Sequence, residues 1–291
     1  MQISPPHPKA ETSAHFSRRD AIIYALGIGC FDLKYLYENQ SDFTSFPTIA
    51  LALTLKGGSV DVQPFPPEFY PVASVQANGP VLDGERAMTL FRPLRGSEKL
   101  KMASEETAVS QAASGAIVQT STILSELDTG KPVARIDSNT FYVGVKDAAT
   151  HGNIQPLIRS LPQSVPMWSI DVPTHPNQTA IYRLSGDYNP LHIDPEIAQV
   201  FGYDKPIMHG LCTLGIATHA LVKTCLGGDE SRVAQVGCRF SKPFFPGRTL
   251  TVEIWKDPSN LSFPFRVKDK SSNTVVIDKA YVDCTVTGSR M

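Results

Sequence analysis

Residues 211–228 read LCTLGIATHALVKTCLGG. The segment is rich in Leu, Ala and Ile, is nearly free of charge, and closes with the pair Gly227-Gly228. A helix with so little polar surface must be buried on most sides, and glycine commonly ends a helix. The sequence therefore predicts a helix over 211–226 that forms the core of its structural unit.

Strand-like segments follow this helix. They are alternating or rich in β-branched residues, and turn signals such as Pro246-Gly247 separate them. The segments span 232–241, 249–256, 263–269 and 274–286. One buried helix followed by an antiparallel sheet long enough to wrap it is an α+β arrangement.

The first half of the chain repeats this pattern less clearly. Short matches at nearly constant offsets, such as Phe46-Pro47-Thr48 with Lys205-Pro206-Ile207, suggest a duplication. We therefore predict two units, 16–150 and 180–288, joined by a Pro-rich linker over 151–179 and preceded by a loose tail over 1–15. In the first unit, a helix is predicted at 18–26, an apolar segment spans 48–55, and strands are predicted at 74–82, 86–94, 100–107, 116–124 and 133–143.

Composition excludes several classes of partner. The chain has 27 Lys and Arg against 28 Asp and Glu, and without a block of like charges it shows no signature for nucleic acid or an anionic membrane. No apolar run approaches the roughly 18 residues of a spanning helix, and no signal-like segment is evident.

The five cysteines are widely spaced, and no ligand set has metal-binding spacing along the chain. We expect a soluble intracellular protein with a small ligand, no metal and no cofactor.

A motif with acid/base character precedes the long helix. Residues 185–194 read SGDYNPLHID, which places Asp187 and His192 five residues apart across the Asn189-Pro190 turn. A carboxylate and an imidazole can together hold a water molecule and exchange its protons, which hydration of an activated double bond requires. We expect Asp187 and His192 to grip the catalytic water and Asn189 to orient the pair.

A glycine supplies the second element of this chemistry. Gly210 lies at the predicted start of the long helix, where free backbone N–H groups and the positive end of the helix dipole converge. Its N–H is therefore a candidate donor to the negative charge that develops on a thioester oxygen. His209 is interpreted as a structural residue that holds this turn, and His219 as a core histidine.

These motifs resemble the hydratase 2 motif of the MaoC-like family, in particular peroxisomal (3R)-specific enoyl-CoA hydratases. The resemblance extends over nearly the whole chain, from Tyr24 to Gly29 in the first half to residues 280–283 near the end. It implies a double hot-dog fold, with two antiparallel sheets each wrapping a central helix. It also implies one active site per chain, and reversible syn hydration of a trans-2-enoyl-CoA.

Further roles are implied by the same resemblance. The first half lacks the acid/base pair and would give up part of its helix packing so that a long acyl chain can enter. The family carries a His where this chain has Asp83, before Gly84, and Ala112 stands where a relative carries a Lys. Both departures bear on the affinity for CoA. The substrate-binding residues implied in this way are Tyr188, Pro190, Leu191, Phe240, Asp83 and Gly84.

Two other functions fit the same residues. The first is a MaoC-like dehydratase of a biosynthetic, polyketide-type pathway, which Asp83 and Ala112 favour. The second is a non-catalytic acyl-CoA-binding hot-dog protein. A binding module gains nothing from an ionisable pair in its site, which argues against the second alternative.

The last three residues, Ser289-Arg290-Met291, have the small, basic, aliphatic form of a peroxisomal address without matching Ser-Lys-Leu. We therefore expect a peroxisomal location and recognition by the peroxisomal import receptor. Exposed sheet edges in hot-dog units also make a homodimer an expectation.

Overall fold

The computed structural model describes residues 9–63, 73–77, 79–258 and 261–285. Within these residues the chain forms one antiparallel sheet of ten strands, with short helices and one long helix packed against it. The strands are β1 (Lys9–Phe16), β2 (Val81–Leu90), β3 (Glu98–Ala112), β4 (Gly115–Glu126), β5 (Pro132–Val143), β6 (Trp168–Pro173), β7 (Val233–Phe240), β8 (Thr249–Ile254), β9 (Ser262–Asp269) and β10 (Thr274–Cys284). The helices are α1 (Arg18–Gly27), α2 (Leu33–Leu36), α3 (Ile49–Lys56), α4 (Gln178–Tyr182), α5 (Pro195–Val200) and α6 (Gly210–Cys225).

The C-terminal half is built around α6. Ten of its sixteen residues are buried, and it packs against β6, β7, β8 and β10. The strands of this half follow the order β7-β10-β9-β8-β6. The predicted helix and all four predicted strands of this half are confirmed, with ends that differ by one or two residues.

The N-terminal half has the same number of strands around a shorter helix. Its strand order is β1-β3-β4-β5-β2, and α3 packs against β1 and β5. Every residue of α3 except Thr54 is buried. The helix α3 has eight residues, whereas α6 has sixteen. The sheet of the N-terminal half is therefore covered by a shorter central helix.

Backbone pairing between β2 and β7 joins the two halves. The pairs run from Glu85 with Arg239 to Thr89 with Gln235. The two predicted antiparallel sheets are therefore joined edge to edge into one continuous sheet, and the α+β class is confirmed. Joining two edge strands satisfies N–H and C=O groups that would otherwise be unpaired at the centre of the molecule.

Two predicted irregular segments contain strands. The predicted tail over 1–15 is wrong from Lys9 onward, because β1 pairs with β3 along its whole length and buries Ala14 and Phe16. The predicted linker over 151–179 contains β6, which pairs with β8. The C-terminal sheet half thus starts before the expected boundary at residue 180.

The sequence prediction places a break at Gly84, inside the strand β2. The sequence suggested strands at 74–82 and 86–94, whereas one strand spans Val81–Leu90. Its pairing with β5 shifts register between Asp83 and Glu85, so Gly84 lies at a bulge. A Cβ at Gly84 would lie 2.8 Å from the Asn139 carbonyl oxygen. Glycine here allows close approach of two backbones within a strand.

Among the described residues, none of the helices combines the length and the apolar character needed to cross a membrane.

The core around α6 should dominate stability. Leu214 is fully buried in α6, so Leu214→Ala should lower the free energy of unfolding by about 2–5 kcal/mol through lost contacts and a residual cavity. Leu127 is 55% exposed, and Leu127→Ala is the matched control with a change within about 0.5 kcal/mol. Denaturant unfolding measures both values. Equal effects would contradict the placement of α6 in the core.

Candidate active site

The loop that carries Asp187 rests on the N-terminal half. Gly186 has a φ of +122°, and a Cβ at this position would lie 2.4 Å from the Lys56 Cβ at the end of α3. Only glycine satisfies both the conformation and the contact. Lys56 is itself buried, and its Nζ donates to the His15 carbonyl oxygen at 2.8 Å. The end of α3 is therefore a fixed support for the residue before Asp187.

The Asn189-Pro190 turn sets the direction of the loop. The Asn189 side-chain oxygen accepts a hydrogen bond from the Leu191 backbone N–H at 3.0 Å and thereby caps the 3-10 turn Pro190–His192. The Asn189 backbone N–H donates to Asp187 Oδ1 at 3.3 Å. Asn189 thus orients both members of the pair, through its backbone for Asp187 and through its capping side chain for His192.

His192 is held in one orientation by the chain that leads to α6. Its Nδ1 lies 2.9 Å from the Ile207 carbonyl oxygen, and the residue is 9% exposed. Since a carbonyl only accepts, Nδ1 carries the proton and donates. The opposite nitrogen, Nε2, is then the atom available for proton transfer.

Asp187, His192 and His209 form one cluster. One potential ligand atom from each side chain lies within 4.8 Å of the others, so the carboxylate and imidazole of the predicted pair do converge. The His192 and His209 rings stack with centroids 3.8 Å apart. His209 Nε2–H donates to the Asp187 carbonyl oxygen at 3.2 Å. The expected structural role of His209 is therefore extended: it fixes both the backbone of Asp187 and the ring of His192.

The electrostatics of the cluster keep His209 neutral. Burial lowers the pKa of His209 well below its ordinary value, and His192 lowers it further. A neutral His209 can stack on His192 without charge repulsion. The neutral ring therefore holds its neighbours in place without adding charge to the cluster.

Gly210 is the first residue of α6, as the sequence predicts. Its N-cap neighbour His209 makes no side-chain capping hydrogen bond within the described residues. A Cβ at Gly210 would lie 2.8 Å from Cδ1 of Phe240. The aromatic ring thus lies close to the residue, and the backbone N–H groups of the first turn of α6 have no partner within the helix.

The pairing of β2 with β7 brings three predicted substrate-binding residues together. Glu85 is paired with Arg239, so Asp83 and Gly84 lie beside Phe240 at the same end of the two strands. The Asp83 carboxylate accepts from Arg86 Nε at 2.9 and 3.0 Å. Burial raises the pKa of Asp83, Arg86 opposes this rise, and Asp187 adds to it. Asp83 is thus close enough to Asp187 for their charges to interact.

The remaining predicted contacts lie on the accessible side of the loop. Tyr188, Pro190 and Leu191 are half-buried, as is Asp187. The Tyr188 ring lies under the Arg183 guanidinium at 5.4 Å from the ring centroid, and burial raises the pKa of its hydroxyl.

The cluster also has the composition of a metal site, although the sequence predicted none. That prediction rested on spacing along the chain, whereas His209 joins Asp187 and His192 only through the fold. His192 Nδ1 and His209 Nε2 are engaged by carbonyl oxygens, so Nε2 of the first ring and Nδ1 of the second remain as candidate ligand atoms. The absence of a metal at this site stays a prediction.

Sequence reasoning missed two contributors to the site. It did not identify Gly186 as a required glycine, although a glycine directly before the candidate acid was a visible signal. It also missed the support from Lys56, which lies 130 residues earlier and has no local signal.

Comparison with known proteins identifies the family. Residues 159–279 match the model of the MaoC like domain, and residues 15–144 match that of the MFE-2 hydratase 2 N-terminal domain. The peroxisomal enoyl-CoA hydratase 2 of Arabidopsis thaliana is 31% identical over 95% of this chain and 93% of its own length. The chain belongs to the MaoC-like hydratase 2 family. The predicted resemblance is confirmed.

A solved structure and a longer multifunctional enzyme are also similar to this chain. The crystal structure of a MaoC-like dehydratase from Phytophthora capsici is 35% identical, with a TM-score of 0.89 and 96% of each chain covered. The double hot-dog fold is thereby confirmed. Peroxisomal multifunctional enzyme type 2 of Mus musculus is 32% identical over 95% of this chain. The chain spans only 37% of the length of that enzyme.

The neutral state of His209 predicts a pH dependence of stability. Its pKa is lowered in the folded protein, so below about pH 6.5 the unfolded chain binds a proton that the folded chain does not. Stability should therefore fall as pH decreases from 6.5, by up to about 1.4 kcal/mol per pH unit for this one group.

His209→Gln removes the titrating group and retains a donor for the Asp187 carbonyl. Urea unfolding at several values between pH 5 and pH 7.5 should give a shallower slope for the variant than for the wild type. Identical slopes would contradict the neutral, buried state of His209.

Proposed function

We propose that the protein is a (3R)-specific enoyl-CoA hydratase of fatty-acid β-oxidation, which adds water reversibly and syn to a trans-2-enoyl-CoA. The observation that carries this proposal is the convergence of the Asp187 carboxylate and the His192 imidazole beside the N-terminus of α6. The relatives named enoyl-CoA hydratase 2 and peroxisomal multifunctional enzyme type 2 support the same assignment.

In the proposed reaction, the two side chains hold one water molecule. One member of the pair accepts a proton from the water as its oxygen adds to Cβ, and the other delivers a proton to Cα. The elements of water are thus added to the double bond, and dehydration runs the same steps backward. His192 enters through Nε2, because its Nδ1–H is committed to the Ile207 carbonyl.

Gly210 supplies the electrostatic part of the mechanism. Addition at Cβ pushes negative charge onto the thioester oxygen, and the backbone N–H at the start of α6 can donate to it. A donor of this kind contributes about 3–4 kcal/mol to the stability of the transition state. Phe240 lies so close to Gly210 that any larger residue at this position would displace the ring.

The N-terminal half would hold the acyl chain. Its segment Tyr24–Gly29, which matches the segment around Asp187, has neither a carboxylate nor a histidine, and its central helix α3 is half the length of α6. The reduced helix packing supports a role as the tail pocket. The carboxyl end of α3 also buttresses Gly186, so the same helix would connect the position of the tail to the catalytic loop.

Substitution of the pair tests the assignment. Asp187→Asn and His192→Gln should each lower the turnover of crotonyl-CoA and decenoyl-CoA by about 10² to 10⁴-fold, because each removes one proton-transfer group. Loss of absorbance of the conjugated thioester gives the rate, and chiral analysis of the product should give the (3R) alcohol. Asp171→Asn and His175→Gln are matched controls that should retain activity.

The same variants separate catalysis from binding. If the protein only binds acyl-CoA, the wild type will show affinity without turnover, and Asp187→Asn will change neither. Persistent turnover in both variants would show that the proposed pair is wrong.

A second candidate is a MaoC-like dehydratase of a biosynthetic, polyketide-type pathway. The specific observation in its favour is Asp83, a carboxylate that lies near Asp187 and stands where the family carries a His. A negative group at this position is unfavourable for an anionic CoA ester. No turnover of either CoA ester, together with turnover of the same acyl group on another carrier, would favour this candidate.

We also propose that the protein acts in the peroxisome and binds the peroxisomal import receptor. The support is the word peroxisomal in the names of its relatives. The predicted address Ser289-Arg290-Met291 lies outside the described residues. A reporter fused ahead of the complete chain should enter peroxisomes, and deletion of these three residues should leave it diffuse. A diffuse signal from the complete fusion would defeat the proposal.

Association into a homodimer remains a further proposal. Among the described residues, the sheet ends in the edge strands β1 and β6, which have one neighbouring strand each. Such edges offer unpaired backbone groups to a second copy. Light scattering of the purified protein would report its mass in solution.

A further inference from the structure

Cys30, Asp32 and His219 form a second cluster of potential ligands, at the junction of the two halves. Cys30 follows α1, Asp32 is the N-cap residue of α2, and His219 lies in α6. One ligand atom from each lies within 4.8 Å of the others. Cys30 is fully buried, whereas the Asp32 side chain is 46% exposed.

The distances fit a tetrahedral zinc ion. With Zn–S near about 2.3 Å and Zn–N and Zn–O near about 2.0–2.1 Å, a tetrahedral site separates S from O by about 3.5 Å and N from O by about 3.3 Å. Cys30 Sγ lies 3.8 Å from Asp32 Oδ2, and His219 Nε2 lies 3.1 Å from the same oxygen. Both distances lie within a few tenths of an ångström of the tetrahedral values, and Cys30 Sγ lies within 4.8 Å of the His219 ligand nitrogen.

The surroundings leave room for a fourth ligand. A cavity of about 360 Å³ borders Asp32 and His219 and is also lined by Gly227 and Gly228. It is large enough for a water molecule that would complete the coordination. The His219 ring is fixed from the other side by an edge-on contact with Phe46, with centroids 5.6 Å apart.

Two lysine side chains, Lys34 and Lys223, line the same cavity. The Lys34 ammonium contacts Glu230 and donates to the Gly228 carbonyl oxygen at 2.6 Å, and Lys223 lies one turn after His219 on α6 and is exposed. Burial raises the pKa of the Cys30 thiol to about 12, so metal binding must release the thiol proton to solvent. The resulting thiolate and the Asp32 carboxylate would together supply two negative charges to a divalent cation.

We propose that Cys30, Asp32 and His219 bind Zn²⁺, with water as the fourth ligand. Thiolate, imidazole and carboxylate are the donor types that this borderline ion takes. His219 is nine residues beyond Gly210 along α6, about 13 Å at 1.5 Å per residue, so this site is distinct from the acid/base pair. The ion would cross-link the loop after α1 to the core helix of the other half.

Cobalt substitution tests the proposal with a readout independent of activity. Protein freed of metal by a chelator should bind one equivalent of Co²⁺ and develop the near-ultraviolet absorption of a cobalt–thiolate bond. Zn²⁺ should displace Co²⁺ and raise the melting temperature by several degrees, because it binds only the folded chain. Cys30→Ser should abolish the absorption band, and His219→Gln should weaken binding at least tenfold.

Matched variants decide where the metal binds. Cys225→Ser changes a cysteine outside the cluster and should keep the band, as should His192→Gln, which alters the thiol-free cluster of the candidate active site. Circular dichroism confirms that each variant is folded, and Cys30→Ala replaces Cys30→Ser if the latter is not. Absence of metal uptake, a band that survives loss of Cys30, or uptake that depends on His192 rather than His219 would overturn the proposal.

Discussion

Backbone hydrogen bonds between β2 and β7 are the constraint on which the rest of the structure depends. They turn two five-stranded halves into one sheet, and they fix the end of β2 beside the end of β7. Asp83 and Phe240 meet there, and Phe240 in turn lies against the first residue of α6. The strand pairing therefore helps to set the position of Gly210, together with the contacts of its neighbour His209 with Asp187 and His192.

Polar groups within the site are held by backbone partners. The imidazoles of His192 and His209 each interact with a carbonyl oxygen, and the Asp187 carboxylate accepts a backbone N–H. Such partners cannot rotate away as a side chain can, so the fold itself fixes the orientation of each of these side chains. The stacked, neutral His209 adds rigidity without adding charge.

Local signals predicted much of the fold and part of the site. Alternation and turn residues located β7 to β10, and Asp187 and His192 were identifiable because five residues separate them. The strand β1 was missed because its outward residues are charged and pair with β3, for example Lys9 with Glu105. Contacts between distant residues have no such local signal: Asp32 and His219 are 187 residues apart, and only the fold brings them together.

The contact between Gly186 and Lys56 makes the two halves of the chain interdependent. Asp187 and His192 belong to the C-terminal half, yet the end of α3 in the N-terminal half supports the residue before Asp187. Separation of the two halves would remove this support, so the conformation of the loop depends on contact between them.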